Sequence, residues 1–197
     1  MAMKLNAKEL RDVKEEDVTE QLKLIKRRPM YFILENIYDT YNIGGLFRLA
    51  DALAIEKMYI CGESEIPPNS KIKKASIGTY KVVPWEYRKT AGEAIHELRS
   101  AAKTSEVFPP PAGGSPTSEV KIIAVEQAKN SVPYTQADYS GPVALVLGNE
   151  TSGITEETLK LADQIVEIPM WGINKSLNVI ISAAIVSYWA ANNVYRS

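Results

Sequence analysis

The sequence predicts an α/β fold, a mostly parallel sheet with helices on both faces. Two observations carry this. Short apolar runs such as Tyr31-Phe32-Ile33-Leu34 and Val143–Leu147 alternate with longer segments of helical periodicity. Within each run the apolar residues are consecutive rather than at every second position, as in a strand buried on both faces. At 197 residues with 45% hydrophobic composition, the chain is long enough and apolar enough for one domain with a substantial core.

Each element has its own reason. Residues 7–28 are charged, with apolar positions at Leu10, Val13, Val18, Leu22 and Ile25, which predicts one or two amphipathic helices stopped by Pro29. Tyr31–Leu34 is the first strand. Asn42 is placed to cap a helix from Gly44 to about Leu53, whose buried set is Leu46, Phe47, Leu49, Ala50 and Leu53. Lys57–Cys61 is the second strand. Residues 62–80 form a long polar connection containing Pro67-Pro68, followed by a short strand at Lys81-Val82-Val83 and a helix from Thr90 to Lys103. The segment 104–118, with Phe108-Pro109-Pro110-Pro111-Ala112-Gly113-Gly114-Ser115-Pro116, is expected to be a mobile surface insertion. Val120–Val125 and Val143–Leu147 are strands. Thr155 with Glu156-Glu157 opens a short helix to Leu161, as caps and the helix dipole favour. Gln164–Ile168 is the last strand, and Ser176 to about Asn193 the last helix, apolar almost all round and so buried on more than one side.

Composition excludes several classes. No apolar run approaches the ~18 residues that span a bilayer, and the charged start lacks a secretory h-region. One cysteine, Cys61, allows no internal disulfide. These features favour the cytoplasm. A net charge of −1 argues against a dedicated non-specific nucleic-acid binder, although local patches can still grip phosphates. Three basic clusters exist, Lys23-Lys26-Arg27-Arg28, Lys71-Lys73-Lys74 and Lys81 with Arg88-Lys89; each reads equally as a solvated face. One histidine, one cysteine and scattered carboxylates form no metal-ligand set. His96, mid-helix, reads as a structural or surface residue.

In open parallel sheets, ligands sit outside the carboxyl ends of the strands. Here those ends carry Asn36, Cys61, Val125-Glu126, Gly148-Asn149-Glu150 and Pro169-Met170-Trp171-Gly172. Polar and glycine-rich residues at several of them suggest a nucleotide-like ligand. Neither G-x-G-x-x-G after the first strand nor G-x-x-x-x-G-K-[ST] anywhere is present, so the site is neither a standard dinucleotide site nor a P-loop.

These same residues resemble a known family. Asn36 with Asn42-Ile43-Gly44-Gly45-Leu46-Phe47-Arg48-Leu49-Ala50-Asp51-Ala52 resembles the first motif of the SpoU/TrmH branch of the SPOUT methyltransferases. Leu145–Ile154 (LVLGNETSGI) resembles the second, and Ile168-Pro169-Met170 with Ser176-Leu177-Asn178 the third. The likeness covers roughly residues 30–195, with three motifs in order, and Ala75-Ser76-Ile77-Gly78 adds a looser match.

The resemblance implies a C-terminal deep trefoil knot, rare among folds, that builds a pocket for S-adenosylmethionine (SAM). It implies a homodimer, to which the last helix contributes, with the active site near the interface. The reaction implied is methyl transfer to a ribose 2′-hydroxyl in RNA, with tRNA favoured over rRNA. Arg48 matches the catalytic arginine. Because a guanidinium stays protonated in proteins, its expected work is to bind phosphate and stabilise alkoxide charge. Asn42 would position Arg48, cap its helix, or both, and Glu150 would bond backbone amides or Asn42 in the dimer. Ser176 and Asn178 would lie on the substrate side, with helix capping a competing role for Ser176. The cofactor pocket is expected at Ala124, Val125, Leu147, Gly148, Asn149, Ile168, Met170, Ser176 and Leu177, largely through backbone groups. About 28 residues precede the first strand, too few for a separate RNA-binding domain, so the expected organisation is a helical extension (1–28) and one catalytic domain (29–197). An RNA-binding protein without catalysis, an rRNA-directed enzyme and a base- or small-molecule-directed methyltransferase are the competing readings.

Overall fold

A computed structural model describes residues 4–13, 22–103 and 119–194. The chain runs α1 (Ala7–Asp12), β1 (Arg28–Glu35), α2 (Thr40–Leu53), β2 (Ile55–Cys61), α3 (Ser70–Ser76), β3 (Trp85–Arg88), α4 (Ala91–Lys103), β4 (Lys121–Val125), β5 (Val132–Pro133), β6 (Val143–Leu147), α5 (Glu156–Leu159), β7 (Gln164–Glu167) and α6 (Val179–Val194). The seven strands form one sheet in the order β3-β2-β1-β6-β4-β7-β5, and every pairing is parallel. The α/β expectation therefore holds. Strand order reverses beside β1: β2 and β3 extend the sheet one way, and all later strands lie on the other side, the arrangement that leaves a crevice at the strand ends.

Alternate side chains of the strands feed two cores. Met30, Phe32, Leu34, Met58, Ile60, Leu145 and Leu147 face α2 and α6. Tyr31, Ile33, Tyr59, Cys61, Ile122, Ala124 and Val146 face Ala94, Ile95 and Leu98 of α4. Cys61 is fully buried in that second layer, and burial pushes its thiol up to about 12. No helix among the described residues is long and apolar enough to cross a membrane.

Four local expectations are corrected. The connection 62–80 contains α3, capped by Asn69, whose Oδ1 accepts from the backbone N–H groups of Lys71 (2.9 Å) and Ile72 (3.3 Å). With only Ile72 and Ser76 buried, this helix has no apolar period to read. Second, Lys81-Val82-Val83 is not a strand. Thr79–Lys81 is a 3₁₀ turn, Val82 and Val83 are buried beside it, and the ladder to β2 begins after Pro84. Third, Pro29 lies inside β1 rather than merely ending a helix; of the predicted 7–28 helices, α1 is described and residues 14–21 lie outside the described residues. Fourth, the two-residue strand β5 was not expected. The insertion at 104–118 also lies outside the described residues.

Two basic clusters turn out to be partly structural. Arg27 donates to the carbonyls of Ile55 (3.0 Å) and Val82 (2.8 Å), and burial lowers its pKa from the ordinary arginine value. Lys81 donates to the carbonyls of Arg11 (3.0 Å) and Val13 (2.6 Å), tying the end of α1 to the body. Arg88 pairs with Glu86 and Glu97. Lys71, Lys73 and Lys74 are exposed on α3.

A pH-dependent contribution sits at the start of β4. Lys121 pairs with Asp138 and the Ser140 N–H donates to Asp138 Oδ1 (2.9 Å), and hydrogen bonding from these two residues, Lys121 first, holds the Asp138 carboxyl down to about 2. A carboxylate depressed below its unfolded value of about 3.9 stabilises the fold above that pH and loses the contribution as pH falls towards 2. The Asp138 side chain is 61% exposed, so the contribution is about 0–1 kcal/mol. Asp138→Asn should therefore lower the denaturation midpoint slightly at pH 7, with the gap to wild type closing between pH 4 and 2; a gap independent of pH would refute a charge-based role.

Candidate active site

The carboxyl ends of β4, β6 and β7 open into a cleft of about 330 Å³, within the range of small-molecule sites. Its walls are Val125, Glu126 and Gln127 after β4, Leu147 to Thr151 after β6, and Val166 to Ile168 with Met170 after β7. Lys175, Ser176, Leu177, Val179 and Ser182 close the remaining side. Of the nine expected pocket residues, Val125, Leu147, Gly148, Asn149, Ile168, Met170, Ser176 and Leu177 line the cleft. Ala124 does not: strand alternation turns its side chain to the opposite core. Gln127, Glu167, Lys175 and Ser182 were missed, and Glu126 was named at a strand end but not for the pocket; Glu126, Gln127 and Glu167 directly end or follow strands, which is the signal that points to them.

Polar side chains from distant strands shape the loop after β6. Asn149, buried, accepts through Oδ1 from the N–H groups of Thr151 (2.8 Å) and Ser152 (3.0 Å) and donates to the Asn36 carbonyl (2.9 Å). Glu126 accepts from Ile154 N–H (3.0 Å). The buried Glu35, at the end of β1, accepts from Thr155 N–H (2.9 Å), Thr155 Oγ1 (3.0 Å) and Thr158 Oγ1 (2.6 Å), fixing the start of α5. Gly148 lies where this loop folds back on itself. A Cβ there would stand 2.5 Å from the carbonyl carbon of Gly153 and 2.6 Å from Ile154 N.

Three of the expected functional residues meet at the cleft mouth. Asn42 Nδ2 donates to Glu150 Oε1, and Asn178 Nδ2 donates to Asn42 Oδ1 (3.0 Å). One short chain of hydrogen bonds thus joins α2, the loop after β6 and the segment before α6. This geometry corrects two capping expectations. Asp39 is the N-cap of α2, accepting from Tyr41 N–H (2.8 Å), so Asn42 sits inside the first turn with its side chain free for the other motifs. At α6, Asn178 rather than Ser176 takes the capping role, accepting from Ile180 N–H (2.9 Å). Ser176 precedes the helix and faces the cleft.

Arg48 is not among them. It is exposed on α2, outside the cleft of its own chain, and among the described residues it makes no hydrogen bond or ion pair. Gly44 and Gly45, one turn before it, mark where α2 is crossed. A Cβ on Gly44 would meet Ala75 of α3, and one on Gly45 would meet Ile180 of α6. Arg48 therefore projects from the outer surface near both crossings, beside a helix α6 that leaves Ile181, Tyr188 and Trp189 exposed.

Comparison with known proteins agrees with this geometry. The model of the SpoU rRNA Methylase family matches residues 29–188. The chain belongs to this SpoU methylase family. It is similar to the tRNA (guanosine(18)-2′-O)-methyltransferase of Escherichia coli K12, with 28% identity over 85% of this chain and 65% of that one. It is also similar to a 23S rRNA (guanosine-2′-O-)-methyltransferase of Ralstonia nicotianae, with 25% identity over 88% of this chain and 63% of that one. The chain thus spans less than two thirds of the length of both relatives. Among solved structures, an AdoMet-bound rRNA methyltransferase from Sinorhizobium meliloti superposes with a TM-score of 0.71 at 26% identity, covering 93% of this chain and 60% of that one. SpoU membership accounts for Asn42 meeting Glu150 and Asn178 at one mouth although they lie 108 and 136 positions further along the sequence.

Proposed function

We propose that this SpoU-family chain is a SAM-dependent methyltransferase acting on a ribose 2′-hydroxyl in RNA. The observation that carries the reading is the Asn178–Asn42–Glu150 chain of hydrogen bonds at the mouth of a small-molecule cleft. The cleft suits the cofactor. Val125, Leu147, Ile168 and Leu177 offer apolar walls for an adenine, while Glu126, Glu167 and Glu150 favour a ligand carrying a cationic sulfonium. SAM, when bound, supplies an electrophilic methyl group. The chain's own residues do the rest. Asn42, held from both sides, fixes the first turn of α2 against the cleft, and Ser176 faces the ribose side. Arg48 neutralises phosphate and developing alkoxide charge.

Because Arg48 lies outside its own cleft, a second copy is needed to deliver it, and we read the protein as a homodimer. The exposed Ile181, Tyr188 and Trp189 of α6, with Tyr41 and Arg48 of α2, form the contact face. The C-terminal third is read as a trefoil knot. In support, β7 enters between β4 and β5, after which the chain crosses back over the cleft to place α6 against α2. Residues 29–197 form the catalytic domain and 1–28 an extension whose α1 docks on Gly78 and Lys81. The substrate favoured is tRNA, the substrate named for the more similar of the two relatives, gripped in part by Lys71, Lys73 and Lys74 in the cytoplasm.

The test is transfer of labelled methyl from SAM to pools of unmodified tRNA and rRNA transcripts, followed by nucleoside digestion. A ribose-methylated nucleoside, more abundant from tRNA, is the expected product. Label on a base, or SAM affinity without transfer to either pool, would overturn the reading.

A further inference from the structure

The loop between β7 and α6 displays two large apolar side chains in water. Trp171 is 93% exposed and Ile173 fully so, an expensive arrangement for residues of this size. The loop is nonetheless held in place. Pro169 restricts its entry, and Gln127 Nε2 donates to the Lys175 carbonyl (2.8 Å) near its exit. The tip between these points stands clear of the body, since a Cβ on Gly172 would find nothing within 4 Å. Trp171 is therefore presented by an anchored loop with open space around it. Its position is specific too, because its neighbour Met170, and Lys175 beyond it, line the cleft.

We propose that Trp171 is a stacking platform for a base of the substrate RNA, seating the nucleotide whose ribose faces the cleft. The proposal rests on the ribose-methyltransferase reading and adds a substrate-positioning residue to it. Single-stranded loops, bulges and ends can splay a nucleotide out of the stack and so bring its 2′-hydroxyl to a cleft, and unstacked bases are held most readily on aromatic side chains. Trp171 supplies the plane, the space beside Gly172 admits a flat partner, and Lys175 supplies a cation for the adjoining phosphate. The exposed apolar residues of α6 lie on a helical face instead, and are assigned above to the second copy.

Two measurements decide the matter. In methylation assays with the tRNA and rRNA transcript pools, Trp171→Ala should raise KM for RNA about tenfold or more, with kcat within threefold and Trp171→Phe intermediate. SAM affinity by calorimetry and sedimentation as a dimer should stay as in wild type. An unchanged KM would overturn the proposal, as would a loss explained by dissociation into monomers. Separately, titration with a single-stranded oligoribonucleotide should quench the fluorescence present in wild type and missing from Trp171→Phe. No quenching would overturn the proposal even if methylation occurs; quenching by a wild type that methylates no RNA would leave the platform standing and remove the enzymatic reading.

Discussion

Arg48→Ala should lower methyl transfer to RNA by about 10²–10³-fold, the loss found when one preorganised charge stabiliser is deleted. SAM affinity should be unchanged, because Arg48 does not line the cleft. The substitution should not unfold the protein either, since the side chain is exposed and its helix is held by Leu46, Phe47, Leu49 and Ala50. The larger consequence comes from mixing subunits. Leu177→Trp fills the cleft and leaves Arg48 intact. Each variant alone should be nearly inactive. Co-expressed, they should recover activity, because the heterodimer contains one open cleft served by the partner's arginine. If Arg48 acted within its own chain, no heterodimer would have a working site, and mixtures would stay inactive. Recovery in the mixture would therefore support both the dimer and the shared site.

Gly44→Ala should destabilise the fold by about 1–3 kcal/mol, although glycine to alanine inside a helix ordinarily gains about 1 kcal/mol. The sign reverses because the added Cβ would stand 2.5 Å from Ala75 Cβ and 2.9 Å from the backbone nitrogen of Ser76. A backbone atom cannot rotate aside, so α2 and α3 must separate. Asn42 is on the same helix, half a turn earlier, so the separation should also loosen its bonds to Glu150 and Asn178 and weaken SAM binding. Chemical denaturation measures the first effect and calorimetry on the folded variant the second. Gly172→Ala is the control: with nothing within 4 Å, it should stay within about 0.5 kcal/mol of wild type. Equal stability for the two variants would show that the α2–α3 crossing tolerates expansion.

What could be read from the sequence follows from where the signals lie. Strands buried on both faces declare themselves as unbroken apolar runs, so β1, β2, β4, β6 and β7 were legible within a few residues. Trp85–Arg88 was not, because this edge strand has no fully buried position and carries Glu86 and Arg88; the neighbouring Val82-Val83 run looked more like a strand and is buried in a turn. Helix α3 escaped because burying two side chains leaves no period. At the site, Asn42, Glu150 and Asn178 were identified from motifs, and a bond between Glu150 and Asn42 was one of the two expected for Glu150; the bond from Asn178 to Asn42 was not, since a hydrogen bond across 136 positions of chain has no sequence signature. Capping was misassigned for a related reason. Asp39 and Asn42, like Ser176 and Asn178, are all competent caps, and only the helix start chooses between them. Ala124 was expected at the pocket through its backbone; it does not line the cleft, and its side chain packs in the opposite core because successive strand residues face opposite ways.

The order of strands in the sheet also dictates when this protein can fold. β6 lies between β1 and β4, and β7 between β4 and the edge strand β5, so the central position of the sheet and the one beside that edge are filled by segments synthesised late. As the chain leaves the ribosome, the β1–β2–β3 half can pair, but its inner edge stays open until β6 (Val143–Leu147) has emerged, well after β3 ends at Arg88. Such long-range closure is slow and exposes unpaired strand edge meanwhile. The last link at the cleft mouth, Asn178 to Asn42, waits longer still, until the segment leading into α6 is available. Nascent chains interrupted before that point would carry the whole Arg48-bearing helix and most of the core, yet no finished cleft to work with.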